Sequence, residues 1–299
     1  MAKDSKIEWT HHTFNPWWGC SKVSPACKHC YAETWAKRVG SKVWGAKAPR
    51  RFFTDKHWCE PLKWNKEAAK DGIRRRVFCA SMADVFERRA ELNPWRDRLW
   101  ALIEQTPMLD WLVLTKRPQN IAAMVPWGDE WPENVWLGST IENQTWADKR
   151  LPILLSIPAK VRFLSCEPLL SDLDLYKFVD DENLHPIDWV IAGGESGPYS
   201  RPMKPIWARN LRDQCLSNDI AFHFKQWGHW VPQDLLTEEQ KKVVILDGEK
   251  LAAVGKGKAG RNLDGRTWDE FPQTPAKLST PKSMGCNGSI TSSSRKRVV

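Results

Sequence analysis

Three cysteines near the start of the sequence, Cys20, Cys27 and Cys30, are the residues best suited to chemistry, and their spacing is C-x6-C-x2-C. A C-x2-C pair brings two thiolates to one centre, and Pro25 helps fold the intervening loop so that Cys20 returns to the same point. Thiolates are soft ligands that select zinc or iron–sulfur. The number of cysteines then matters. A structural zinc site is normally closed by four protein ligands, and the sequence holds no second C-x2-C. A fourth ligand would have to be His29, His57 or Cys59, none at a motif spacing. A [4Fe–4S] cluster held by three thiolates leaves one iron open to a further ligand. The spacing therefore points to an open cluster at Cys20, Cys27 and Cys30, with a zinc site as the alternative. Cys79, Cys166 and Cys215 fall in apolar surroundings and read as small core residues. Cys286 lies near the C-terminal end, and Cys59 carries no clear signal.

The elements that must position such a site recur from residue 77 onward. Short apolar runs end in polar residues and are usually followed by a helical stretch. The runs are 77–81, 111–116, 135–139, 161–167, 189–195 and 221–226. They are apolar throughout rather than alternating, as strands covered on both faces are. Helix starts lie between them: Asn93 with Pro94, Asn143, and Pro205 ahead of Trp207, Leu211 and Cys215. The helix after Cys30 places Tyr31, Trp35 and Val39 on one face and ends at Gly40. With a further strand over Thr13 to Trp17, the rhythm predicts an α/β fold, a partial or full (β/α) barrel, with a doubly wound sheet as the alternative. In either architecture the site forms at the C-terminal strand ends.

The chain has 299 residues, enough for a substantial core, and a formal net charge of +9. Five of the basic residues and no acidic ones lie in 276–299, so the chain up to 275 carries +4. Positive charge suits a nucleic acid or nucleotide partner and equally a solvated basic surface. The 19 Trp residues suit base stacking, although most should fill the core. No apolar run approaches the roughly 18 residues of a membrane span, and the first residues lack a secretory apolar region. These features predict a cytoplasmic protein that does not enter the membrane, in a compartment where clustered cysteines bind metal. The expected domains are a barrel over 1–228 with a basic insertion at about 41–76, an irregular extension over 229–275 packing on the barrel, and a basic, disordered tail over 276–299.

Around the cysteines the chain resembles phage and prophage proteins of the gene-product thirty-seven/sixty-eight family, which are regarded as radical-SAM-like. The likeness includes Lys6 to Thr10, Asn15 to Trp17 with Gly19 and Cys20, and Cys27 to Glu33. It continues through Ser81 to Phe86, Leu114 to Pro118, Gly138 to Glu142, Ser165 to Leu169, Gly193 to Gly197, Phe224 to Gly228 and Leu263 to Arg266, about residues 6 to 272 in all. The resemblance implies a barrel of the radical-SAM type. It also implies a [4Fe–4S] cluster on Cys20, Cys27 and Cys30 that chelates S-adenosylmethionine, a reducing electron donor, and His29 near the adenine. The first gap of six residues departs from the usual three.

Chelated S-adenosylmethionine needs acceptors for its ammonium and ribose and donors for its carboxylate. The expected contacts are Ser81 and Asp84, with Asp84 accepting from the ammonium. Ser139, Thr140 and Glu142 would serve the ribose, and Lys116 or Arg117 would meet a carboxylate or phosphate. Glu167 and Glu195 are carboxylates at two further strand ends, with Lys225 and Gln226 completing the set. Gly193 and Gly194 would allow close backbone approach. The expected function is radical chemistry on a nucleic acid or nucleotide substrate. The competing expectations are a zinc-stabilised nucleic-acid-binding protein and an iron–sulfur redox sensor.

Overall fold

A computed structural model describes residues 2–197 and 199–273. The tail expected from 276, Cys286 included, lies outside the described residues. Seven parallel strands form one sheet in the order β1 to β7. They are β1 His12–Thr13, β2 Arg75–Cys79, β3 Leu109–Thr115, β4 Val135–Thr140, β5 Val161–Cys166, β6 Trp189–Gly193 and β7 Ala221–Gln226. Their order follows the sequence without reversal, which is not the doubly wound alternative. Right-handed crossovers that all step the same way put every connecting helix on one face, so the sheet curls with that face outward. β1 and β7 do not pair, and the result is a partial (β/α) barrel.

The connecting helices are α1 Tyr31–Arg38, α2 Asp55–Trp58, α3 Glu60–Asp71, α4 Asn93–Glu104, α5 Ile121–Met124, α6 Gln144–Leu155, α7 Tyr176–Val179 and α8 Pro205–Ser217. Asn143 caps α6 as expected, its Oδ1 accepting from the Trp146 N–H at 3.1 Å. Pro205 opens α8. Asn93 is already the first residue of α4, and its side chain accepts from Arg96 instead of capping.

The continuous apolar runs reflect two separate cores. Val77, Trp111, Val113, Leu137, Leu164, Val190 and Phe222 face outward against Leu99, Ile103, Leu151, Leu211 and Cys215 of the helices. Phe78, Leu112, Trp136, Val161, Phe163, Trp189 and Ile191 alternate with them and fill the lumen beneath Trp9. Cys79, Cys166 and Cys215 are fully buried core residues.

Within residues 41–76, α2 and α3 supply the helical layer ahead of β2. Residues 229–273 are not irregular. They form an antiparallel sheet of β8 Trp230–Pro232, β9 Val243–Leu246 and β10 Glu249–Ala253, in the order β8-β10-β9, followed by α9 Lys256–Ala259. The first strand is shorter than expected, with His12 and Thr13 pairing β2.

Candidate functional site

A cavity of about 350 Å³ opens at the C-terminal strand ends, as the architecture requires. Its polar wall comes from successive strands: Ser81 and Asp84 after β2, Lys116 after β3, Thr140 from β4, Ser165 from β5 and Glu167 after it, Gly194 and Glu195 after β6, and Lys225 and Gln226 from β7. Strand alternation selects several of these. Thr140 continues the inward ladder of Trp136 and Gly138, Ser165 that of Val161 and Phe163, and Lys225 that of Ala221 and His223. Trp9, Phe78 and Leu114 make the apolar floor. Lys225 Nζ pairs with Glu167 Oε2 at 2.7 Å and lies 5.8 Å from the Trp9 ring centroid. Lys116 Nζ donates to Thr140 Oγ1 at 3.0 Å.

Cys20, Cys27, His29 and Cys30 also line this cavity, on a loop laid across its mouth. All three cysteines are free thiols. The loop is pinned at several points. Arg117 Nη2 donates to the carbonyl and the hydroxyl of Ser21, both at 2.9 Å. Its Nη1 reaches Cys20 Sγ at 3.7 Å and Asp84 Oδ2 at 2.8 Å. The Ala26 N–H donates to Glu142 Oε1 at 3.3 Å. Arg201 Nη2 donates to the Pro25 carbonyl at 3.0 Å while the same guanidinium grips Glu195. Ser21 Oγ donates to Glu87 Oε1 at 2.8 Å, and Glu87 is held by Arg50 through two bonds of 2.7 and 2.9 Å. Gly19, at φ +119°, permits the close approach, since a Cβ there would meet the Val43 carbonyl at 2.4 Å.

Burial pushes the Cys20 thiol up to about 12, against the opposing pull of the Arg117 cation. Burial raises Cys30 as well. In the metal-free chain both thiols hold their protons at neutral pH, and ligation would release them. Among the described residues, no group of three His, Cys, Asp or Glu side chains is arranged to hold a metal ion. A single ion gathers its donors at about 2.0–2.3 Å from one point. A cluster is wider and needs thiols that face a shared space, each meeting a different iron. Three free cysteines lining one cavity fit that requirement.

The structure sorts the other expected site residues. His29, Ser81, Asp84, Lys116, Glu167, Gly194 and Glu195 line the cavity with the cysteines. The Asp84 carboxylate, however, is already occupied. It accepts from Thr115 Oγ1 at 2.7 Å, the Lys116 N–H at 3.0 Å, the Phe86 N–H at 3.1 Å and Arg117. It is a structural node and leaves little for an ammonium. Ser139, Glu142 and Gly193 do not reach the cavity wall. Ser139 lies one residue out of phase with Gly138 and Thr140, and its hydroxyl donates to the Thr115 carbonyl. Glu142 is fully buried, paired with Arg150 Nη1 at 2.8 Å, and acts on the cysteine loop through Ala26. Gly193 packs beside Glu167, where a Cβ would lie 3.3 Å from Oε2. Arg201 was not anticipated and has no motif to announce it. Thr140, expected beside Ser139, does line the cavity, and Ser165 was open to detection by counting strand parity.

A second hollow, of about 380 Å³, lies at the opposite strand ends around His11, His12 and Trp64. His11 Nδ1 accepts from the Arg76 N–H and His12 Nδ1 from the Asp4 N–H, so the two rings serve the backbone there.

Fold and site together define a partial (β/α) barrel carrying a three-cysteine loop over its C-terminal mouth. The family model described as "Protein of unknown function (DUF5131)" matches residues 4–272, and the chain belongs to that family. No curated protein matches the chain in sequence. Among solved structures, it is similar to a cysteine-to-serine variant of spore photoproduct lyase, with 14% identity over 85% of this chain and 72% of that one and a TM-score of 0.49. It is also similar to the lyase complexed with dinucleoside spore photoproduct, at 12% identity over 86% and 72% with a TM-score of 0.47. A double variant with bound AdoMet and dinucleoside spore photoproduct shows 13% identity over 84% and 70%, at 0.45. Among the described residues, no helix is long and apolar enough to cross a membrane.

Proposed function

We propose that the protein is a radical-SAM-type iron–sulfur enzyme of the cytoplasm, acting on a nucleic acid or nucleotide, and a relative of the phage and prophage proteins named above. One observation carries the reading: three free thiols lie on a loop pinned from several strand ends, facing a polar cavity at a barrel mouth. Cys20, Cys27 and Cys30 would hold a [4Fe–4S] cluster, with S-adenosylmethionine on its open iron. When bound, that pair supplies one-electron cleavage of the sulfonium bond and hence hydrogen-atom abstraction, driven by an external reducing donor.

The chain's own residues bind and orient. Glu167 offers an acceptor to an ammonium or to ribose hydroxyls, while Glu195, both oxygens held by Arg201, orients the cysteine loop through that guanidinium. Lys116 and Lys225 offer donors to a carboxylate or phosphate. Thr140 and Ser165 supply neutral hydroxyls on the inner wall, and Gly194 lets the β6 end pack against the chain after β7, its N–H donating to the Gln226 carbonyl at 3.0 Å. The apolar floor of Trp9, Phe78 and Leu114 keeps water from the inner end of the cavity.

Anaerobic reconstitution with iron and sulfide tests this. The expected result is about four irons per chain, absorbance near 400 nm in the visible, and 5′-deoxyadenosine on adding S-adenosylmethionine with a reductant. Cys20→Ala, Cys27→Ala and Cys30→Ala should each lose iron. A fully loaded protein that forms no 5′-deoxyadenosine sinks the reading, as does a colourless protein with one zinc.

A further inference from the structure

Charge in this chain is concentrated around the cavity. Residues 20–51 contain eight Lys or Arg residues and one acidic residue, Glu33, a net of +7. The chain up to 275 carries +4, so the remainder of that stretch is net negative at −3. The same segment carries the cysteines and α1. Glu33 is itself neutralised by Lys22 and Lys37, at 3.1 and 2.7 Å. Lys28, Arg38, Lys42 and Lys47 are exposed and, among the described residues, form no ion pair.

An aromatic track runs through this basic surface. Tyr31 and Trp35 stand one turn apart on α1 and are 58% and 47% exposed. Tyr31 also lines the cavity, its hydroxyl donating to the Ser81 carbonyl at 3.0 Å. Tyr199, 78% exposed, stacks on His29, which lines the cavity. Large aromatics left in water cost hydration free energy unless a partner covers them. Flat faces interleaved with unpaired cations fit one kind of partner, a strand whose bases are unstacked and whose phosphates are spaced along it.

Resting on the reading above, we infer that α1 and the segment to Lys47 form a docking surface for single-stranded nucleic acid. Trp35 and Tyr31 stack successive bases and lead one nucleotide toward the cavity, while Lys28, Arg38, Lys42 and Lys47 take the flanking phosphates. A base paired inside a duplex cannot enter a cavity of about 350 Å³ beneath a pinned loop, so the target base must leave its stack.

Full-length protein, purified anaerobically, is titrated against a fluorescein-labelled single-stranded oligonucleotide of mixed sequence and against its duplex. Anisotropy should show tighter binding of the single strand. Trp35→Ala should weaken that binding about tenfold, the size of one lost base stack. Arg38→Glu should weaken it and flatten the dependence of log K on log salt. Neither residue touches the cavity wall, so 5′-deoxyadenosine formed without substrate should be unchanged in both variants. Unchanged affinity in Trp35→Ala overturns the inference, as does equal binding of single strand and duplex. Sedimentation showing that Trp35→Ala only dissociates a dimer, or tighter binding to anionic vesicles than to the oligonucleotide, overturns it too. Oligonucleotide binding without 5′-deoxyadenosine formation sinks the enzymatic reading and leaves the surface standing. The converse result removes the surface alone.

Discussion

Arg117 joins three parts of the site with one side chain. It touches Cys20 Sγ, both oxygens of Ser21, and Asp84. A lysine would keep the charge but lose the planar fork that makes these contacts together. Hydrogen bonds to charged partners contribute about 1.5–3 kcal/mol each. Arg117→Lys should therefore lower iron retention severalfold after desalting, with far-UV circular dichroism unchanged. Full retention would show that the loop is fixed without Arg117. Glu142 is a harsher case, because among the described residues it is the carboxylate paired with the buried Arg150. Glu142→Ala should cost roughly 3–5 kcal/mol in urea unfolding, and a cost under about 1 kcal/mol would mean that solvent reaches the pair. These residues also show how much of the site the sequence disclosed. The cysteines were legible from their spacing, and Lys116, Glu167 and Glu195 because strand ends concentrate polar groups at the mouth. Asp84 and Glu142 were legible as acids but not as partners, since Arg117 and the loop carrying Ala26 reach them only through tertiary folding. Ser139 failed on parity, because one residue separates the lumen from the helical layer.

Within the elements, the lumen depends on a glycine of β4. A Cβ on Gly138 would stand 2.3 Å from the Phe163 ring of β5. Phe163 fills the space that a side chain at 138 would otherwise take, directly beneath Thr140 and Ser165. Overpacking of this kind costs about 1–3 kcal/mol. Gly138→Ala should lower the urea midpoint accordingly, and adding Phe163→Leu should recover part of the loss because the two sites share one volume. Equal additive losses would show that they do not interact. The sequence announced the seven parallel strands through length and apolar content. It did not announce the antiparallel sheet of β8, β9 and β10, whose strands are only three to five residues long, with Glu249 and Lys250 at pairing positions of β10. The order of the parallel strands was legible only as a choice between curling and doubly wound sheets, because strand count does not encode neighbours.

For the whole molecule, acid should act at the two ends of the open sheet. His11, beside β1, is held down to about 4, mainly by burial and then by Arg76 and Arg75. His223, buried in β7, is held down to about 3 by burial and Arg261. The folded state resists protonation of these rings while the unfolded chain accepts it below about 6.5. Their effect on stability is therefore neutral above that pH, and stability is lost as pH falls toward 4 and 3. His223→Gln, which keeps an acceptor for Arg261, should lose roughly 2 kcal/mol less than the parent between pH 7 and pH 4.5. Parallel losses would assign the acid limb to other groups. The same end of the sheet holds a further consequence. The Phe224 N–H donates to the Trp268 carbonyl, the Glu270 N–H donates to the Phe222 carbonyl, and Phe271 packs tilted against Trp189 with the Arg76 guanidinium of β2 3.8 Å from its ring centroid. Residues 268–271 thus clasp β7 and reach across the unpaired gap to the first part of the sheet. On a ribosome this clasp is made after all seven strands have emerged, so the nascent barrel must wait with one edge bare and its aromatic lumen unsealed. A chain ending at Arg266 should accumulate as aggregate at a temperature where the full chain is recovered in the supernatant.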